Sequence, residues 1–330
     1  MDTFSRENIE NLVSVPSHSG IAHFIRNIAG PVLDWSGLLG IIVLSLGTLI
    51  IPAISIVLLP AVIFLAVYQL VLIYFSQIRF YKIKVNSSKI ELGLPKPVSF
   101  VFVSDIHVGS EYAATNNKRL QKIVDKINAL NPELVLFGGD FFTERIEVER
   151  LQLLNGVKAP LQFGVYGNHD AYYLKNNVSY TLPTKFLEAI KTTNIKLLIN
   201  ESVNLQVNGV DLCIAGIPDL YSKNFDIKKA FADASPGTKR ILLSHNPDVI
   251  DFIKEEDNID LLLSGHNHSG QIFLPVIGAA LPMPTKRRWL TKGLFQITKN
   301  TKLFLSQGVG YSGSRLRINT DAEICDITLT

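Results

Sequence analysis

"VSFVFVSDIH" (98–107) and "ELVLFGGD" (133–140) enclose "NKRLQKIVDKINALNP" (117–132). The outer two are unbroken apolar runs of strand length, each followed by an aspartate. The middle one repeats apolar residues at helical spacing and stops at Asn-Pro. A strand covered on both faces reads as continuous apolar sequence, and a helix lying on a sheet reads as amphipathic. Run, helix, run of this kind predicts a βαβ unit. The pattern continues in "LQFGVYGNHD" (161–170), "DLCIAGIPD" (211–219), "RILLSHNPD" (240–248), "DLLLSGHNHSG" (260–270) and "LFLSQGVG" (303–310), with helices expected near 181–192, 225–233 and 247–255. Strands alternating with helices predict an α/β fold, a layered β-sandwich flanked by helices, over residues 98–330.

In open α/β sheets, ligands bind beyond the carboxyl ends of the strands. The residues there are Asp105 and His107, then Asp140, then Asn168, His169 and Asp170, then His245, and finally His266 and His268. The chain has seven histidines, and five of them fall at these ends. Any one Gly-Asp or Gly-His pair would pass for an ordinary turn, but five sites in order do not. Nitrogen and carboxylate donors without a thiolate suit Mn²⁺, Fe or Zn²⁺. Asp105, His107, Asp140, Asn168, His245, His266 and His268 are too many for one tetrahedral ion. They fit two ions sharing a carboxylate, an arrangement used for attack on phosphorus with the ions ~3.5–4 Å apart.

The rest of the chain has a different composition. Hydrophobic residues make up 47% of it and the mean hydropathy is +0.23, high for a soluble domain,. No charged residue occurs from Trp35 to Ile78. One helix of that length would far exceed the ~30 Å hydrocarbon core. Pro52 and Pro60 offer a break, so two spans are expected, roughly 34–53 and 58–78, with a single span after Pro60 as the alternative. Small residues such as Gly37, Gly40 and Gly47 would let the two helices pack closely. The segment after the spans, "RFYKIKVNSSK" (79–89), is basic. The positive-inside rule then puts the C-terminal domain on the cytoplasmic side of an inner, cytoplasmic membrane. The expected organisation is an N-terminal arm (1–33), an anchor (34–78), a linker (79–97) and a catalytic domain (98–330). His18 and His23 lie in the arm and carry no expected chemistry. A net charge of +3 gives no argument for nucleic acid. Cys213 and Cys325 sit in apolar runs and are expected to pack as small hydrophobes.

The order "DIH", "GGD", "GNHD", "SHNPD", "GHNH" resembles that of the calcineurin-like metallophosphoesterases, and the likeness extends over residues 98–330. "GHNHSGQI" and "SQGVGYSGSRLRINTDAEICDITL" resemble the membrane-anchored bacterial branch, although Asn267 and Ser269 stand where that branch has Thr and Gly. The resemblance implies that Asp105, His107 and His268 hold one divalent ion and Asn168, His245 and His266 the other, with Asp140 bridging. It further implies a metal-bridging hydroxide attacking phosphorus. His169 would act near the phosphate as a catalytic group, oriented by Asp170, and Gln271 would serve in support. The expected ions are Mn²⁺ first, with Fe or Zn²⁺ as alternatives.

The expected function is a membrane-anchored, two-metal phosphoesterase, a phosphodiesterase by preference. Its substrate would be a diester or a pyrophosphate, lipid-linked in the sharper version, which is hydrolysis of UDP-diacylglucosamine in lipid A synthesis. The basic stretch "PTKRRWLTKGLF" (284–295) is a candidate contact for headgroups or substrate, and Arg315 and Arg317 are candidates to approach the site. A non-catalytic scaffold would have lost ligands, and all seven are present. A metal sensor or transport accessory would need ionisable residues within the spans, and there are none.

Overall fold

The strand Val98–Val103 shows why continuous apolar runs become strands here. Phe100 and Phe102 face one side, Val101 and Val103 the other, and all four are buried,. The computed structural model describes residues 30–50, 55–143, 145–174, 179–280 and 283–330. The expected break at Pro52, and His18 and His23, lie outside the described residues.

Two six-stranded sheets form the domain. One runs Lys84–Ile90, Glu323–Leu329, Val98–Val103, Leu134–Phe137, Leu161–Gly164, Lys196–Leu197. The other runs Gly293–Gln296, Lys302–Leu305, Leu261–Ser264, Lys239–Leu243, Val210–Gly216, Glu201–Val207. The central pairings are parallel in both sheets, as with Val101 beside Val135 and Leu242 beside Leu262. Phe100, Phe102, Leu136, Ile214, Leu243 and Leu263 belong to one buried cluster to which both sheets contribute. Alternate residues of the same strands, such as Val103, Phe137, Leu242 and Leu262, join a second cluster with the helices. The Asn117–Ala129 helix buries Leu120, Ile123, Val124 and Ile127 on one stripe, and the Asn116 side chain accepts from Arg119 N–H at 3.0 Å to cap it,. Cys213 and Cys325 are buried and unpaired with each other, one in each cluster.

Three expectations change. Residues 79–97 hold more than a linker: Lys84–Ile90 is an edge strand, parallel to Glu323–Leu329. Its polar sequence hid it, because an edge strand with mostly uncovered side chains carries no apolar run,. The helix expected near 247–255 is a pair of short 3₁₀ turns, Pro247–Phe252 and Glu255–Asp257. Pro60 does not break a helix; it lies inside the one that begins at Ser55.

The two apolar helices are Gly30–Ile50 and Ser55–Ile73, the second continuing in tighter and wider turns to Tyr81. Among the described residues only Leu58–Tyr81 is long and apolar enough to cross a membrane, while Asp34–Thr48 is a shorter apolar helix. They touch where small residues allow it. A Cβ on Gly40 would stand 2.8 Å from Leu65 Cδ1, and one on Gly37 would stand 2.9 Å from Gln69 Cβ. Gln69 Oε1 accepts from Leu38 N–H at 2.9 Å, and Gln69 Nε2 donates to the Asp34 carbonyl at 3.2 Å. The outward faces expose Val43, Phe64 and Leu70, each about two-thirds accessible. An uncovered apolar surface of this extent needs another phase or partner to cover it.

Candidate metal centre

Parallel strands that end together bring their following loops together. The chain after Val103, Phe137, Gly164, Leu243 and Ser264 delivers Asp105 and His107, Asp140, His169, His245, and His266 and His268 to one place, with Asn168 next to His169 in sequence. The turns there are tight. Asp105, His107, Asp140, His266 and His268 all have positive φ, between 49° and 78°. Non-glycine residues adopt such angles at a cost of order 1–3 kcal/mol each, and they cluster where function requires them. Two glycines are needed for space. A Cβ on Gly265 would collide with Ser104 Oγ and Asp105 Oδ2, and one on Gly167 would collide with Asp140 Oδ1.

The donor atoms fall into overlapping groups. Asp105, His107 and His268 each offer an atom within 4.8 Å of the others, as do Asp140, His245 and His266, and also His107, Asp140 and His169. Asp140 Oδ2 is 3.1 Å from His245 Nε2 and 3.6 Å from His107 Nε2. The two halves therefore meet at this carboxylate. His107 Nε2 and His268 Nε2 lie 3.0 Å apart, and His266 Nδ1 and His245 Nε2 lie 3.2 Å apart. These facing imidazole nitrogens are held apart from solvent, since the four histidines are all buried. Asn168 is buried as well, and its Oδ1 accepts no hydrogen bond among the described residues. A buried carbonyl oxygen left this way is costly unless something binds it. The donor set and this orphaned oxygen fit divalent ions.

Supporting contacts fix the rings. His245 Nδ1 donates to the Gly138 carbonyl at 2.7 Å, which leaves Nε2 for the centre,. Asp105 accepts from Ser104 Oγ at 2.6 Å and from His266 N–H at 3.0 Å. The Arg317 guanidinium donates to His268 Nδ1 at 3.1 Å and is itself held by the carbonyls of Gln307 and Gly310. Burial raises the Asp105 pKa to about 6, with His245 working against the rise. Burial would lower His245, but the Asp140 carboxylate outweighs it and lifts the pKa to about 10. Burial and the neighbouring His245 bring His266 down to about 3.

His169 is half-exposed at the rim, and its Nδ1 donates to the Thr143 carbonyl at 2.7 Å. Asp170 does not take the orienting role expected of it. Its carboxylate turns inward and accepts from Gly167 N–H at 2.9 Å and Phe142 N–H at 3.0 Å, which pins the loop rather than the ring. Gln271 likewise holds a loop, donating to the Ser312 carbonyl and accepting from Ser312 N–H. Of the two candidate arginines, Arg317 reaches the site. Arg315 stacks between Phe80 and Tyr112 instead. Lys286 and Arg287 of the basic stretch pair with Asp251, and Arg288 donates to the Ala279 carbonyl. Asp219, Thr143 and Ser104 were missed. Asp219 stands three residues past Gly216, at a strand end like the others, fully buried, with burial raising its pKa to about 7. The strand-end rule would have found it. No local signal marks Thr143, which acts through its carbonyl.

Buried imidazoles and carboxylates converging at the strand ends of a two-sheet α/β domain define a metal-dependent hydrolase site. The calcineurin-like phosphoesterase profile matches residues 98–270, and the chain belongs to that family of metal-dependent phosphoric ester hydrolases. A metallophosphoesterase of Helicobacter pylori is 33% identical over 244 residues, 72% of this chain and 60% of that protein. A transmembrane protein with metallophosphoesterase domain from Bos taurus is 28% identical over 70% of this chain and 53% of its own length. A UDP-2,3-diacylglucosamine pyrophosphatase of Chlamydia muridarum is 30% identical over 68% of this chain and 81% of its own. The chain spans only 48–60% of the first relatives it matches. Among solved structures, a Thermus thermophilus protein aligns with 64% of this chain at 10% identity and a TM-score of 0.42, too distant to inform the site.

Proposed function

We propose that the chain is a membrane-anchored phosphoesterase that holds two divalent ions, Mn²⁺ by preference, and cleaves a diester or pyrophosphate whose other end is lipid. Asp105, His107 and His268 hold one ion, Asn168, His245 and His266 the other, and Asp140 both. The observation that carries this reading is the meeting of both donor groups at Asp140. Bound ions of this kind neutralise phosphoryl oxygens and activate a coordinated water. The chain's own residues do the rest. The Thr143 carbonyl fixes the Nδ1 proton of His169, so Nε2 is the ring atom that would pass a proton to the leaving oxygen,. Arg317 braces the ring of His268 from behind.

A lipid-linked substrate is favoured by the uncovered apolar helices and by the relative named as a UDP-diacylglucosamine pyrophosphatase. The basic segment after the second helix favours a cytoplasmic domain on an inner membrane,. The test is release of UMP from UDP-diacylglucosamine by detergent-solubilised protein with Mn²⁺. Asp140→Asn is expected to lose bound metal and to lose hydrolysis by at least about 100-fold, since even outer contacts to such ligands cost 10–100-fold. Cleavage of a generic diester without cleavage of this substrate would retain the chemistry and discard the substrate.

A further inference from the structure

A cavity of about 630 Å³ is lined in part by Arg317, the residue that also contacts His268 of the centre. Its charge is lopsided. Arg79, Lys82 and Lys84 line it from the segment that leaves the second apolar helix, Lys122 and Lys126 from successive turns of the Asn117–Ala129 helix, and Arg317 from the wall shared with the metal centre. Only Asp125 and Asp321 oppose them. Asp321 is engaged by Arg79 at 3.3 Å and Lys84 at 3.1 Å. Among the described residues no carboxylate pairs with Lys122 or Lys126; Lys122 stands over the Tyr81 ring, 5.4 Å from its centre. The cavity therefore presents a surplus of ammonium groups, which suits a phosphate group.

Its position gives the source of that phosphate. Arg79 and Tyr81 close the apolar helix Leu58–Tyr81 and also line the cavity. If that helix crosses a bilayer, the cavity opens at headgroup depth, where Lys and Arg beside a span attract anionic lipid. Tyr81 on its wall is an amphipathic ring of the kind that favours this depth,. We infer that this cleft binds the headgroup phosphate of an anionic phospholipid, at a site separate from the metal centre.

The inference rests on reading the second helix as a membrane span. The full chain in detergent would be titrated with phosphatidylglycerol, phosphatidylcholine or inorganic phosphate and examined by native mass spectrometry. Retention of phosphatidylglycerol over phosphatidylcholine is expected. Lys122→Gln with Lys126→Gln should weaken it about 30-fold, from roughly 1 kcal/mol per lysine. Metal content and hydrolysis of a generic diester should stay at the wild-type level. Equal binding of the two lipids, or unchanged binding by the variant, would overturn the cleft. Full displacement of the lipid by inorganic phosphate would reassign the cleft to free phosphate and overturn the lipid. A chain that fractionates as soluble without detergent would instead remove the membrane reading on which both rest.

Discussion

His245 is the residue whose proton is most exposed to metal binding. Burial works to lower its pKa, but the Asp140 carboxylate 3.1 Å away holds it near 10. Its folded value lies above the ordinary histidine value of about 6.5. The histidine's contribution to the metal-free fold is therefore complete below about pH 6.5 and is lost as pH rises through about 10,. An ion on Nε2 must displace that proton, so apparent metal affinity should rise with pH across the same window. Titration calorimetry at pH 7.5 in buffers of different ionisation enthalpy should record proton release on Mn²⁺ binding, and a buffer-independent heat would contradict the assignment. His169 makes a different prediction. With its Nδ1 on the Thr143 carbonyl and its ring at the rim, His169→Ala should keep both ions and lose about 10²–10⁴ in kcat,. Loss of metal by this variant would make it a ligand rather than a proton donor.

At the scale of elements, a buried carboxylate ties the first apolar helix to the catalytic domain. Asp34, near the start of the first helix, accepts from Ser314 Oγ at 2.7 Å, from Tyr112 OH at 2.9 Å and from Arg315 N–H at 3.2 Å. Tyr112 follows the His107 turn, and Ser314 and Arg315 precede Arg317. The helices thus rest on the same two loops that border the metal centre. Asp34→Ala would leave buried donors unmatched, at a cost of about 3 kcal/mol. A clear fall in melting temperature of the detergent-solubilised protein is expected, with metal ligands intact. An unchanged melting temperature would mean that the helices are not held by this contact.

At the scale of the molecule, the anchor and the hydrolase are expected to separate. Phe80 is fully buried against Tyr311 and Arg119, so a shortened chain should retain it. A chain starting at Gln77 keeps the Gln77 contacts to Tyr112 and Arg315 as well as the edge strand Lys84–Ile90. It should bind metal and cleave a generic diester while no longer sedimenting with membranes. Continued sedimentation would assign membrane attachment to the domain surface rather than to the helices.

What the sequence determined by itself was local. Apolar runs, helical spacing and the residues just past each run follow from periods of two and 3.6. That is why Asp105, His107, Asp140, Asn168, His169, His245, His266 and His268 could all be named before their loops were seen together. Tertiary structure decided what depends on which distant segments meet. It paired polar Lys84–Ile90 with Glu323–Leu329, turned Asp170 inward, gave His169 to a backbone carbonyl, and put Arg317 between a histidine and a basic cleft. None of these has a sequence signal, because a backbone carbonyl, an uncovered edge and a buried cation acquire their roles only from neighbours that folding brings in.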